Sequence, residues 1–343
     1  MLKRAAADHM GVATRREPLR AHSRAIAIMI ICGALLAVPL YGVGDFGLFL
    51  LTKALAISLW AVGLDLLVGY TGLLSFGHSA WLGLGAYAAG YIARGYTPDI
   101  FIASLAAVAV VAIVAGAAGF VATRVSGVAF AIVSLAIAAC LYLAVAQLPI
   151  EFTGGRTGLF GVPAPSVLGR TVAYGNEFYL MTCALTISVV LALRYIVNTP
   201  FGLALQAIRD NETRAKFIGI NVGALRWVAF VMSAVVSGLG GMLLCFLQGG
   251  MPILEFQWSR SADVLIMVIL GGLGTLFGPA AGAIFFTVVS SYLISWSPGW
   301  WQIYLGLIFL VVLLLLPGGL AGGLERLTRL VWRESGGNGG NHE

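Results

Sequence analysis

IFIASLAAVAVVAIVAGAAGFVAT, residues 100–123, carries no charged side chain. At 1.5 Å per residue a helix of about 20 residues crosses a hydrocarbon core roughly 30 Å thick, and a helix satisfies its own backbone N–H and C=O groups there. The stretch is therefore read as a transmembrane helix. Outward from it, apolar runs at 25–43, 48–69, 79–94, 128–147, 178–197, 224–247 and 300–316 follow one another with short polar breaks. The block at 262–295 is too long for one span and is interrupted by Gly271, Gly272, Gly274, Gly278 and Pro279, so it is read as two short helices around a glycine turn. The expectation is an all-α polytopic membrane protein of about ten transmembrane helices, some of them broken by glycine. Composition agrees, because 60% of the 343 residues are apolar and 10% are charged, against about a quarter charged in soluble domains.

Charge sets the expected orientation. With an even number of spans, fifteen of the twenty Lys and Arg fall on one side: in the N-terminal tail, at Arg124, between Arg194 and Arg226, and in the C-terminal tail. The positive-inside rule makes that side cytoplasmic and places both termini there, so the net charge of +6 reads as membrane orientation and not as nucleic-acid binding. The organisation expected is a basic cytoplasmic tail at 1–24, a membrane domain at 25–316, and a cytoplasmic tail at 317–343 that is partly disordered in its Gly/Asn run. Within the membrane domain, 148–175 is an external loop and 198–223 a cytoplasmic one. The run at 25–43 is longer than a signal-peptide core and lacks a small-residue cleavage site, so it is read as a retained first span.

Enzyme chemistry finds little support. No GxxxxGK[ST], HExxH or GxSxG pattern is present, and His9, His22, His78 and His342 are scattered. Cys32, Cys140, Cys183 and Cys245 sit inside apolar runs without CxxC spacing, which argues against a disulfide framework or a metal site. No catalytic residue, metal or cofactor is assigned to this chain.

Transporters often place substrate paths where helices are interrupted and freed backbone groups face a cavity. GYTGLLSFGHS at 69–79 and GGLGTLFGP at 271–279 are such interruptions. They nominate Gly69, Thr71, Gly72, Ser75, Gly77, His78, Gly271, Gly272, Gly274, Thr275 and Gly278 as path or gate residues, the alternative being close helix packing. For Gly83, Gly85, Gly90, Gly116, Gly238 and Gly241 packing is the preferred reading. Asp65 joins the path candidates because a charge at the centre of a span costs about 2.5–3.5 kcal/mol. Its alternative is a place near the cytoplasmic end, hydrated or hydrogen-bonded to neighbours. A lone histidine such as His78 is more often a hydrogen-bonded packing residue than a ligand or proton relay.

The cytoplasmic loop NTPFGLALQAIRDNETRAKFIGI, 198–220, carries helix signals of its own. Thr199 suits an N-cap, Pro200 the first helical position and Gly219 the left-handed residue past the end, with Leu205, Ile208, Ala215 and Ile218 as an apolar stripe. The plainer reading is a solvated connector; the functional one is a grip through which a motor moves the attached spans.

The string PFGLALQAIRDNETRAKFIGINVGALRWVAFVMSAVVSGLGGML, 200–243, resembles the cytoplasmic segment of the branched-chain amino acid ABC-transporter permease family, M-type subunit. GLDLLVGYTGLLSFGHSAWLGLGAYAAG at 63–90, VLIMVILGGLGTLFGPAAGA at 264–283 and TGGRTGLFGVP at 153–163 are similar to further blocks of that family. The resemblance implies an ABC importer permease of the type II-like bundle class in a bacterial inner membrane. It also implies that Arg209, Asp210, Asn211, Glu212, Arg214, Ala215, Lys216 and Gly219 belong to the coupling segment that docks on an ATPase. Glu212 is followed by Thr213 and Arg214 where the EAA-like pattern of relatives has two alanines. The implied partners are an H-type paralogous permease, two cytoplasmic ABC ATPase subunits that hold ATP and Mg, and an external solute-binding protein. The implied solute is a branched-chain or related amino acid, with urea or amides as substrate alternatives. The competing class is an ion-coupled secondary transporter, for which several ionisable residues at midplane depth would be expected beside Asp65.

Overall fold

The computed structural model describes residues 33–316 and 318–323, so the tail at 1–24, the start of the first expected span and residues 324–343 lie outside the described residues. The chain divides into Met1–Leu48 and Phe49–Glu343. In the first unit, residues 33–37 are helical, and a 3-10 turn, Val38–Tyr41, ends on Gly42 at φ 63°.

The long helices are α1 (Asp45–Thr71), α2 (His78–Gly95), α3 (Ile100–Ala122), α4 (Val128–Gln147) and α5 (Asn176–Val197). Then come α6 (Pro200–Asp210), α7 (Glu212–Phe217), α8 (Val222–Gln248), α9 (Trp258–Gly271), α10 (Phe277–Trp296) and α11 (Trp301–Leu315). Among the described residues, seven helices are long and apolar enough to cross a membrane: α1, α3, α4, α5, α8, α10 and the one that begins at Trp301. The 18-residue α2 and the 14-residue α9 occupy two further expected spans. The protein is thus an all-α polytopic chain, and the block at 262–295 does split at its glycines.

Small residues decide which helices touch. A Cβ on Gly85 would run into the backbone of Gly238, and one on Gly241 into the carbonyl of Leu82. The main chains of α2 and α8 therefore meet directly, as small residues permit in apolar surroundings. On α3 the buried residues Ala103, Ala107, Val111, Ala115 and Gly119 recur every fourth position, one stripe of the helix surface. Leu105, Ile113 and Phe120, on its other faces, are exposed, as expected of a lipid-facing surface. Trp81 meets Phe230 edge to face at 5.5 Å, and Phe130 meets the same ring at 6.1 Å, tying α2, α4 and α8 together.

Segment 148–175 carries secondary structure of its own. Its strand β1 (Gly158–Phe160) pairs antiparallel with β4 (Gly250–Pro252), Leu159 opposite Met251. Strands β2 (Ser166–Val167) and β3 (Arg170–Thr171) form a small hairpin. Asp99, the N-cap of α3, accepts from the N–H of Phe101 at 2.9 Å with one oxygen and from that of Leu168 at 2.9 Å with the other. One carboxylate thus fastens the segment to a helix start.

Candidate functional site

Asp65 lies one turn before Gly69 in α1 and is wholly buried. Its Oδ1 accepts from Gly274 N–H at 2.7 Å and its Oδ2 from Leu276 N–H at 3.1 Å. Both donors belong to the turn between α9 and α10, so the two glycine breaks noted in the sequence meet across this carboxylate.

The turn owes its shape to glycine and to one strained residue. Gly272 and Gly274 have φ of 111° and 73°, conformations that an L side chain avoids. Leu276, with φ 58° and ψ −47°, has no such freedom. Phe277 N–H donates to the Thr275 carbonyl at 2.7 Å, which makes Leu276 the centre of a γ-turn of the rare positive-φ form. Strain of this kind costs on the order of 1–3 kcal/mol and persists only where surroundings over-determine it. Here the surroundings are the Asp65 carboxylate and the burial of the Leu276 side chain. Thr275 Oγ1 donates to the Gly272 carbonyl at 2.8 Å and accepts from Gly278 N–H at 3.1 Å, closing the turn. Gly271 and Gly278 lie so close that a Cβ on either would strike the other's backbone.

The segment at 198–220 reaches the same point. Arg209, in the last turn of α6, donates from Nη1 to the Gly69 carbonyl. A Cβ on Gly72 would come within 3.1 Å of the Arg209 side chain, and one on Gly274 within 3.3 Å of its guanidinium. A Cβ on Gly69 would strike the Asp65 carboxylate and the Gly274 backbone. Asp65, Gly69, Gly72, Arg209, Gly274 and Leu276 form one joint that links α1, α6, α9 and α10.

The single helix expected over Pro200–Gly219 is two. The chain breaks at Asn211, which is extended at φ −160° and ψ 101° and ends α6. Its Oδ1 accepts from Arg214 N–H at 2.8 Å and so caps α7. Thr199 stands at the start of α6 but donates its hydroxyl to the Ile196 carbonyl and makes no side-chain cap. Leu205, Ile208 and Ala215 are buried as the stripe required, whereas Ile218 is 69% exposed beside Phe217 at 87%. Ile218 follows the last residue of α7 as its C-cap, so the stripe ends at Ala215. Gly219 takes the expected left-handed conformation, φ 85°.

Glu212 points inward. It accepts from Lys216 at 2.7 Å and from Arg226 at 2.8 Å, the latter a guanidinium with only 8% of its side chain exposed. The Lys216 and Arg226 hydrogen bonds hold the Glu212 carboxyl below the ordinary glutamate value. Asp210, Asn211, Arg214 and Lys216 face outward.

Other candidates lie away from the joint. Thr71 ends α1 by donating to the Leu67 carbonyl at 2.6 Å. Ser75 and His78 join a buried seam in which His78 Nδ1 meets Ser75 Oγ at 3.2 Å and Nε2 meets Ser233 Oγ at 2.7 Å. Ser233 donates its proton to the Gly63 carbonyl, so His78 Nε2 is the donor to Ser233 and Nδ1 the acceptor from Ser75. Both ring nitrogens of His78 are thus engaged within this seam. Gly77 packs against the Ser134 carbonyl without room for a Cβ. Sequence reasoning passed over Leu276, Ser233 and Arg226. Only Arg226, a cation at the entrance of an apolar run, carried a signal.

The sequence pattern of the family described as branched-chain amino acid transport system / permease component matches residues 47–313. The high-affinity branched-chain amino acid transport system permease protein LivM of Escherichia coli K12 is 27% identical over 296 residues, 78% of this chain and 68% of that protein. Its counterpart in Salmonella typhimurium LT2 is 25% identical over the same shares. The autoinducer 2 import system permease protein LsrC of Yersinia pseudotuberculosis serotype O:3 is 30% identical over 152 residues, 42% of this chain and 43% of that protein. No solved structure matches. With the match covering most of the chain and the broken apolar helices of a multi-pass transporter beneath it, this protein belongs to the branched-chain amino acid transport permease family.

Proposed function

We propose that this chain is the translocating subunit of an ATP-driven importer of branched-chain or related amino acids. In this reading ATPase subunits grip segment 198–223 from the cytoplasm, both termini lie on that side, and a second permease of the H type completes the pore. An external binding protein delivers the solute. ATP and Mg reside on the ATPases, and this chain carries no catalytic group.

The observation that carries the reading is the contact of Arg209 with the Gly69 carbonyl. A push on α6 reaches the end of α1 through that contact, and the Asp65 hydrogen bonds carry it to the turn between α9 and α10. A coupled transporter requires elements that switch between discrete arrangements, and the strained Leu276 turn lies where the helices that would have to switch meet. The test is Arg209→Met in the assembled complex in proteoliposomes. ATP hydrolysis is expected to continue while ATP-driven leucine uptake falls on the order of tenfold, about 1.4 kcal/mol of lost coupling. Undiminished uptake would remove Arg209 from the transmission path.

A further inference from the structure

Away from the joint, a cavity of about 490 Å³ opens between α9, α10 and α11. That volume lies within the range of small-ligand sites, about 300–1,000 Å³. Gln257, Arg260, Asp263 and Gln302 form its polar side, and Ile266 and Phe286 belong to its apolar side. Arg260 is the third residue of α9, a position where the helix dipole disfavours a cation. It is held by two carboxylates, Nη2 to Glu255 at 2.6 Å and Nη1 to Asp263 at 3.1 Å. With 42% of its side chain exposed, Arg260 stays within reach of a solute entering the cavity.

We propose that this cavity binds an aliphatic α-amino acid in its zwitterionic form, the carboxylate toward Arg260 and the ammonium toward Asp263. The proposal deepens the transport reading above by naming where on this chain the solute is met. Arg260 spends two of its five N–H groups on Glu255 and Asp263, which leaves donors for a solute carboxylate. The two carboxylates keep free lone pairs for an ammonium. The trio carries one net negative charge, so a solute with only an anionic group is repelled and one with no charge gains no ionic contact. Ile266 and Phe286 offer an apolar surface for an aliphatic side chain.

The test places a cysteine in the cavity, Gln302→Cys, in the full permease and ATPase complex. Labelling by a membrane-impermeant maleimide is read at that position by peptide mass spectrometry. Leucine is expected to slow labelling several-fold, while 4-methylpentanoate, which lacks the amine, and ribose, which lacks both charges, leave it unchanged. Arg260→Gln and Asp263→Asn should each abolish protection, and Arg260→Lys should keep part of it. Absence of protection by leucine in the otherwise native chain overturns the proposal, as does equal protection by all three probes. Labelling needs no ATP, so a failure of ATP-driven uptake counts against the coupling reading alone, and the cavity stands or falls on protection by leucine.

Discussion

Asp65 of α1 accepts the backbone N–H of Leu276 at 3.1 Å, so a carboxylate on one helix fixes the strained residue that joins two others. The same side chain accepts from Gly274, and Arg209 of α6 donates to the carbonyl four residues on from Asp65. Nothing in the spacing 65, 209 and 276 announces this meeting.

Asp65→Asn is expected to unsettle the joint. An amide supplies one carbonyl and turns an NH₂ toward the second backbone donor, leaving a buried N–H unsatisfied at about 1–3 kcal/mol. The melting temperature of the purified subunit should fall, and the Gly274 and Leu276 amides should exchange faster with deuterium. Exchange as slow as in the native protein would show that the turn stands without Asp65.

Gly274→Ala tests the other side of the same contact. The new methyl group would sit at φ 73° and within 3.3 Å of the Arg209 guanidinium. Left-handed backbone costs an L residue roughly 1–2 kcal/mol. Lower stability is expected together with weaker uptake. Loss of stability with normal uptake would separate the turn's folding role from transmission.

Glu212 should confer a pH dependence on the segment around α7. Lys216 and Arg226 depress its folded-state value below that of the unfolded chain. The stabilisation is therefore fully present above the ordinary glutamate value of 4.5 and disappears as pH falls through the depressed one. Glu212→Gln should remove that acid-side transition from the melting profile and lower stability at neutral pH. Adding Arg226→Met should recover part of the loss, since it removes the orphaned buried cation. A profile identical to the native one would contradict the inward-facing role.

Phe217 and Ile218 are the most exposed apolar side chains of the segment 198–223, proposed above as the ATPase grip. Phe217→Asp should weaken co-purification of the ATPases and their stimulated hydrolysis, without changing the melting temperature of this chain alone. Unchanged association would move the docking surface elsewhere on 198–223.

Apolar length made the spans legible, and glycine clusters located both breaks. The helix at 200–210 was legible from Pro200, yet Asn211 hid its second use. It follows Arg209 and Asp210 in a run that continues a helix on paper, but its side chain caps the next turn and splits the segment. Ile218 stands just past the end of α7, where a helical stripe no longer applies. The partners of Asp65 were illegible because they are backbone N–H groups more than two hundred residues away, and backbone donors leave no mark in a sequence. Arg260 was visible only as one more charge in an orientation count, although Asp263 stands three residues on along the same helix.

At Gly85 and Gly241 the α2 and α8 main chains touch with no side chain between them. Neither can slide past the other without atoms colliding, so relative sliding along this seam is sterically closed. On the transport reading proposed above, any hinge must then lie elsewhere, and the bent peptide at Leu276, held by Asp65, is a place where the backbone already departs from its relaxed form.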